Sequence, residues 1–171
     1  MNVKRFVKII FLTLLVSYVT PAYSAMTISG VYSITDSSTW MDIVNKQSGV
    51  IKGQHSKFLN LTNYGTVELD FCNMIGKVQS FGCLIANQTV FTKDLIIAGG
   101  EANLTSCQLE NLFISDTSAQ NVRCPSQITL NGKTLINGSV IFETNQGTIY
   151  KGADVMILGD IVNGEIVDLQ E

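Results

Sequence analysis

The sequence predicts an all-β protein, a short β-solenoid (parallel β-helix) with an N-terminal cap segment. Three observations lead there. Short apolar runs recur through the second half, broken by Asn, Gly and Asp. A phrase repeats in which an apolar residue is followed five places later by Val or Leu: Ile85–Val90, Leu104–Leu109, Leu130–Leu135 and Tyr150–Val155. The last residues of these phrases return after 19, 26 and 20 residues, and a period near 20 with polar corners suits stacked β-coils. Short strands with Asn/Gly turns also describe a β-sandwich, which stands as the alternative fold.

Taken in order, residues 1–24 read as a secretory signal peptide. Lys4, Arg5 and Lys8 precede an apolar core over Ile9–Val19 that is too short to span a bilayer. Ala22-Tyr23-Ser24 places small residues for cleavage after Ser24, with cleavage after Ala25 as the alternative. Cleavage would leave about 147 residues, one domain in size. It would remove three basic and no acidic residues and take the net charge from −3 to −6. That balance argues against nucleic acid or an anionic membrane surface as partner. No integral membrane span is expected in the mature chain, and the protein is expected to be periplasmic, envelope-associated or secreted.

Residues 25–65 are expected to form the cap and first strands. Thr27–Thr35 is rich in β-formers. Trp40, Met41, Ile43 and Val44 follow N-cap candidates, which predicts a short helix or turn over Thr39–Lys46. The repeat region is expected over 66–171. Its clearest half-buried strand is Thr66–Phe71, with Val67, Leu69 and Phe71 on one face and Thr66, Glu68 and Asp70 on the other. Strand-like groups follow at Leu95-Ile96-Ile97, Leu112-Phe113-Ile114, Val140-Ile141-Phe142 and Ile161-Val162. Ala119–Gln127 carries Pro125 and reads as a loop inserted in one coil.

Cys72, Cys83, Cys107 and Cys124 are even in number in an exported chain, which predicts two disulfides of open connectivity. No pair has the spacing of a zinc site. The one histidine, His55, lies in a polar loop without a Ser nucleophile motif, so it is expected at the surface. Asp94, Asp116, Asp154 and Asp160 could align on a coil face as the carboxylates of a polysaccharide-acting enzyme, although corner aspartates usually form turns. Catalytic, cofactor and metal sites are not expected. Trp40, Tyr64 and Tyr150 would be binding platforms if exposed; burial in core or cap is the stronger expectation.

The C-terminal run from Gly138-Ser139-Val140-Ile141-Phe142 through Gly159-Asp160-Ile161-Val162-Asn163-Gly164-Glu165-Ile166-Val167 resembles the Gly-x-Ile/Val phrase of bactofilins. That resemblance, over the last 40 to 80 residues, implies a β-helix that polymerises and has no catalytic residue. Bactofilins are usually cytoplasmic and lack signal peptides and disulfides. The leading expectation is an exported, non-enzymatic structural or interaction protein that associates with itself or a protein partner. A carbohydrate- or surface-binding adhesin-type module is the alternative.

Overall fold

The computed structural model describes residues 25–115, 127–143 and 148–169. Every regular element among them is a β-strand, and all pairings are parallel. The chain winds as a three-faced β-solenoid. Its wide face stacks Val31–Thr35, Val50–Gln54, Thr66–Asp70, Cys83–Asn87, Glu101–Thr105, Gln127–Asn131, Thr148–Lys151 and Glu165–Asp168. Its narrow face stacks Lys57–Phe58, Asn73–Met74, Val90–Phe91, Gln108–Leu109, Leu135–Ile136 and Met156–Ile157. Its middle face stacks Met26–Ile28, Ile43–Asn45, Leu61–Asn63, Val78–Ser80, Leu95–Ile97, Leu112–Ile114, Val140–Phe142 and Ile161–Val162. Each turn visits wide, narrow and middle faces in that order.

Period-two alternation explains the interior. On the wide face, Ile51, Val67, Leu84, Ala102, Ile128 and Ile149 form one buried column in register. Leu69, Ala86, Leu104 and Leu130 form a second. Phe58, Met74, Phe91, Leu109 and Ile136 fill the interior from the narrow face. Each fully buried Val, Leu, Ile, Met or Phe among them stabilises the fold by about 1.5–3 kcal/mol. Gly53 sits in the second column because Phe58 needs the room. A Cβ there would lie 2.8 Å from the Phe58 ring.

The strand groups seen on the middle face were placed correctly: Leu95, Leu112, Val140 and Ile161 share one column. The phrase ending in Val90, Leu109, Leu135 and Val155 was not in register. The true column is Phe91, Leu109, Ile136 and Ile157. Val155 lies two residues before Ile157, buried at a corner, and Val90 faces outward beside Gln108 and Leu135. A single apolar residue marks each rung, and variable corners blur which residue of a pair turns inward.

Within residues 25–65, expected to form the cap and first strands, the strands from Met26 to Asn63 join the same three ladders, the first coil adding only the Ser38 bridge on the narrow face. The short helix or turn expected over Thr39–Lys46 does not form, and Ile43–Asn45 is a strand. Ser38 bridges Lys57, and Ile43–Asn45 pairs with both Met26–Ile28 and Leu61–Asn63. The edge of the next rung overrides a weak local helix signal. Phe71 is also corrected. It does not join Val67 and Leu69 inside, because the chain turns there with φ +50° and leaves the ring 46% exposed.

The disulfide framework is corrected as well: Cys72, Cys83 and Cys107 are free. Cys124 lies outside the described residues. Cys72 and Cys107 belong to the buried corner column Ser56, Cys72, Thr89, Cys107, Thr134, with Thr89 between them. Two rungs separate them by about 9–10 Å, beyond the reach of a disulfide. Both do the work of Ser and Thr in this column. Ser56 and Thr89 donate to the carbonyl two residues back, on Gln54 and Asn87, and the thiols of Cys72 and Cys107 donate likewise to Asp70 and Thr105. Burial raises the Cys72 thiol pKa and pushes Cys107 up to about 11. Cys83 starts a wide-face strand at the opposite end, and partial burial raises its pKa too.

Candidate functional site

Two surfaces stand apart from the closed interior. The first is the C-terminal end. Met156–Ile157, Ile161–Val162 and Glu165–Asp168 are the last strands of their three ladders. Ile157, Ile161 and Ile166 occupy inward registers beside Ile136, Val140 and Ile149. Each equivalent residue one rung earlier is fully buried, whereas Ile161 is 47% exposed. Met156, Leu158, Val162, Val167 and Leu169 widen this apolar end. Among the described residues nothing covers it. Lys151 and Asp168, at the last two positions of the second wide-face column, pair at 2.8 Å.

A polar column runs to this end along the corner that leads into the middle face. The side-chain amide of Asn60 donates to Asp42 Oδ1 at 2.8 Å, and Asn60 Oδ1 accepts the Lys77 backbone N–H at 2.8 Å. Asn111 repeats the arrangement, donating to Asp94 Oδ1 and accepting the Ser139 N–H, both at 2.9 Å. Asp160 closes the column and is exposed. Asp94 and Asp160 are therefore three rungs apart, roughly 14 Å, too far to share one glycosidic bond. Asp154 belongs to a different corner, and Asp116 lies outside the described residues. The structure does not bring Asp94, Asp154 and Asp160 together.

The second surface is the wide face with its following corner. The corner column Asp36, His55, Phe71, Gln88, Ser106 and Gly132 takes left-handed φ at every rung, between +44° and +55°. This keeps the turn identical from coil to coil. Gly132 alone adopts it without steric cost. His55 is exposed, stacks on Phe71 at 5.1 Å, and approaches Asp36 at 3.7 Å. Thr35, Gln54, Asp70 and Asn87 lie outward beside this column, one per rung.

Trp40, Tyr64 and Tyr150 are all exposed, Trp40 most, at 65%; the stronger expectation of burial is corrected. They do not form one platform. Tyr64 lies at the corner between middle and wide faces, stacked on Phe81 at 4.9 Å. Tyr150 stands on the wide face between Thr129 and Val167. Trp40 precedes the second middle-face strand. Sequence reasoning missed the His55–Phe71 pair, because nothing local marks Phe71 as left-handed.

Among the described residues, no group of three or more His, Cys, Asp or Glu side chains could hold a metal ion. No helix among them is long and apolar enough to cross a membrane. No family model, curated protein or solved structure matches this chain.

Proposed function

We propose that the protein is an exported, non-enzymatic structural component of the cell envelope that associates with itself end to end. The observation that carries this reading is the C-terminal rung. It repeats the inward pattern of the core in Ile157, Ile161 and Ile166 and presents three strand edges in register. Such an edge is a template for another strand of the same kind. The resemblance to bactofilins points the same way.

The ladders also favour a direction. A second copy stacked head to tail would lay its Met26–Ile28 on Ile161–Val162 and its Val31–Thr35 on Glu165–Asp168. Met26 would cover Ile161 and Tyr32 would cover Ile166. Both are partly exposed at the N-terminal end. The Ala25 N–H would reach Asp160 as the Lys77 N–H reaches Asn60. Cleavage after Ser24 would make that group an ammonium facing a carboxylate. Such a contact uses different patches on the two copies and does not close, so it extends into a filament.

The experiment is light scattering on size-exclusion fractions of the processed protein, with negative-stain imaging. Filaments or a broad large species are expected, and Ile161→Asp should reduce them to monomer without unfolding the chain. A monomer that persists as concentration rises overturns the reading.

A further inference from the structure

The left-handed corner at position 71 does not call for a phenylalanine. It asks only for a residue that tolerates positive φ, and the next rungs use Gln88, Ser106 and Gly132. Left-handed backbone costs a bulky side chain about 1–2 kcal/mol. The ring is 46% exposed, and its ring partner is the equally exposed corner of His55. An outlier of this kind, held in place by the surrounding ladder, is where binding function is sought.

The neighbouring surface supplies the rest of a site. Ser33, Thr35, Lys52, Gln54, Glu68, Asp70, Ile85 and Asn87 line a shallow depression of about 650 Å³ on the wide face, floored by Gly53 and Leu69. Lys52 is its one cation and is paired with Glu68 at 2.9 Å. The side chains of Thr35, Gln54, Asp70 and Asn87 make no hydrogen bond or ion pair among the described residues. They therefore stand as a row of free donors and acceptors, spaced by one rung of about 4.8 Å. The carboxylate of Asp70, with Asp36 close by, leaves the row weakly negative.

We propose that this depression binds a neutral, unbranched polysaccharide lying along the stacking axis. A pyranose ring has an apolar C–H face and a rim of hydroxyls. The face would pack on Phe71 and His55, and the hydroxyls would meet Gln54, Asp70 and Asn87. Aromatic packing combined with a few fixed polar groups is the general chemistry of such sites. The unpaired carboxylate of Asp70 turns acidic glycans away. This site lies on a side face and does not depend on end-to-end association.

The test is calorimetric titration of the processed protein with three probes: a soluble β-linked gluco-oligosaccharide, an N-acetylated chito-oligosaccharide and polygalacturonate. At least one neutral probe should bind, and polygalacturonate should not. Phe71→Asn should weaken that binding on the order of tenfold. Its melting temperature should hold or rise, because Asn tolerates the left-handed corner. Phe71→Tyr should keep the binding. The proposal is overturned if neither neutral probe binds, if polygalacturonate binds as well as they do, or if Phe71→Asn binds like the parent.

Discussion

One inward column of the middle face changes character half-way along the molecule. Its first rungs after Ile28 carry Asn45, Asn63 and Ser80, all fully buried. Its later rungs carry Ile97, Ile114 and Phe142. The polar half is a hydrogen-bonded ladder: Asn45 donates to Asn63 Oδ1 at 2.9 Å, and Asn63 donates to Ser80 Oγ at 3.0 Å. The ladder also ties down the corners beside it. Asn45 donates to the carbonyls of Gly49 and Thr66, and Asn63 donates to that of Cys83 and accepts the Gly65 N–H. The corners after Asn63 and Ser80 are two residues long. After Ile97 the turn uses Gly99 and Gly100, both at positive φ, and after Ile114 and Phe142 the connections lengthen. These corners, four residues long after Asn45 and two after Asn63 and Ser80, turn backbone groups inward that the buried amides and the Ser80 hydroxyl satisfy. At Ile97, Ile114 and Phe142 the column is apolar and contributes packing instead.

The comparison can be broken at Asn63. Asn63→Leu strands the Gly65 N–H and the Cys83 carbonyl, and removes acceptors and donors from both neighbouring rungs. A loss of about 3–5 kcal/mol is expected, read as a lower urea midpoint. A change below about 1 kcal/mol would mean that the ladder does not hold the corners. The reverse substitution, Ile97→Asn, buries an amide where the turn offers it no ladder and removes fully buried apolar surface. It should cost about 2–4 kcal/mol by the same measurement. A neutral result would show that the polar ladder can simply be extended.

The other interior column sharpens the contrast because it keeps small hydroxyl or thiol residues from Ser56 to Thr134. Cys107 is its sensitive member. Its folded pKa of about 11 lies above the ordinary thiol value of 9.0, mainly through burial. The neutral thiol is favoured by folding, so its contribution is complete below pH 9 and lost as pH rises towards 11. Stability should fall by about 2–3 kcal/mol over that window from this group. Cys107→Ser should flatten the fall in a urea midpoint series against pH. An unchanged pH profile would show that the thiol is less enclosed than its 1% exposure implies.

Much of the fold was legible because β-coils repeat. Leu95, Leu112, Val140 and Ile161 could be aligned by eye, since the middle-face strands are short, apolar and bounded by polar corners. Val90 and Leu135 were misaligned by one residue, since two-residue strands carry no alternation to fix their phase. The cysteines misled for a related reason. Their even number suggested bridges, while their true equivalents, Ser56 and Thr89, become visible only once the rungs are aligned. The site was less legible than the fold. Asp94 and Asp160 share one corner column but stand three rungs apart, Asp154 belongs to another corner, and the His55–Phe71 stack was not anticipated.

By itself, the sequence determined the class of structure: a period near 20 with apolar pairs and Asn/Gly corners marks an all-β chain and favours stacked parallel coils over a β-sandwich. Tertiary structure alone decided which residue of each pair faces inward, that Phe71 leaves the core, and that Cys72 and Cys107 stay thiols. The reason is common to all three. These choices are made by the neighbouring rung, about 4.8 Å away in space but some 16 to 28 residues away in the chain. Local patterning cannot carry that information.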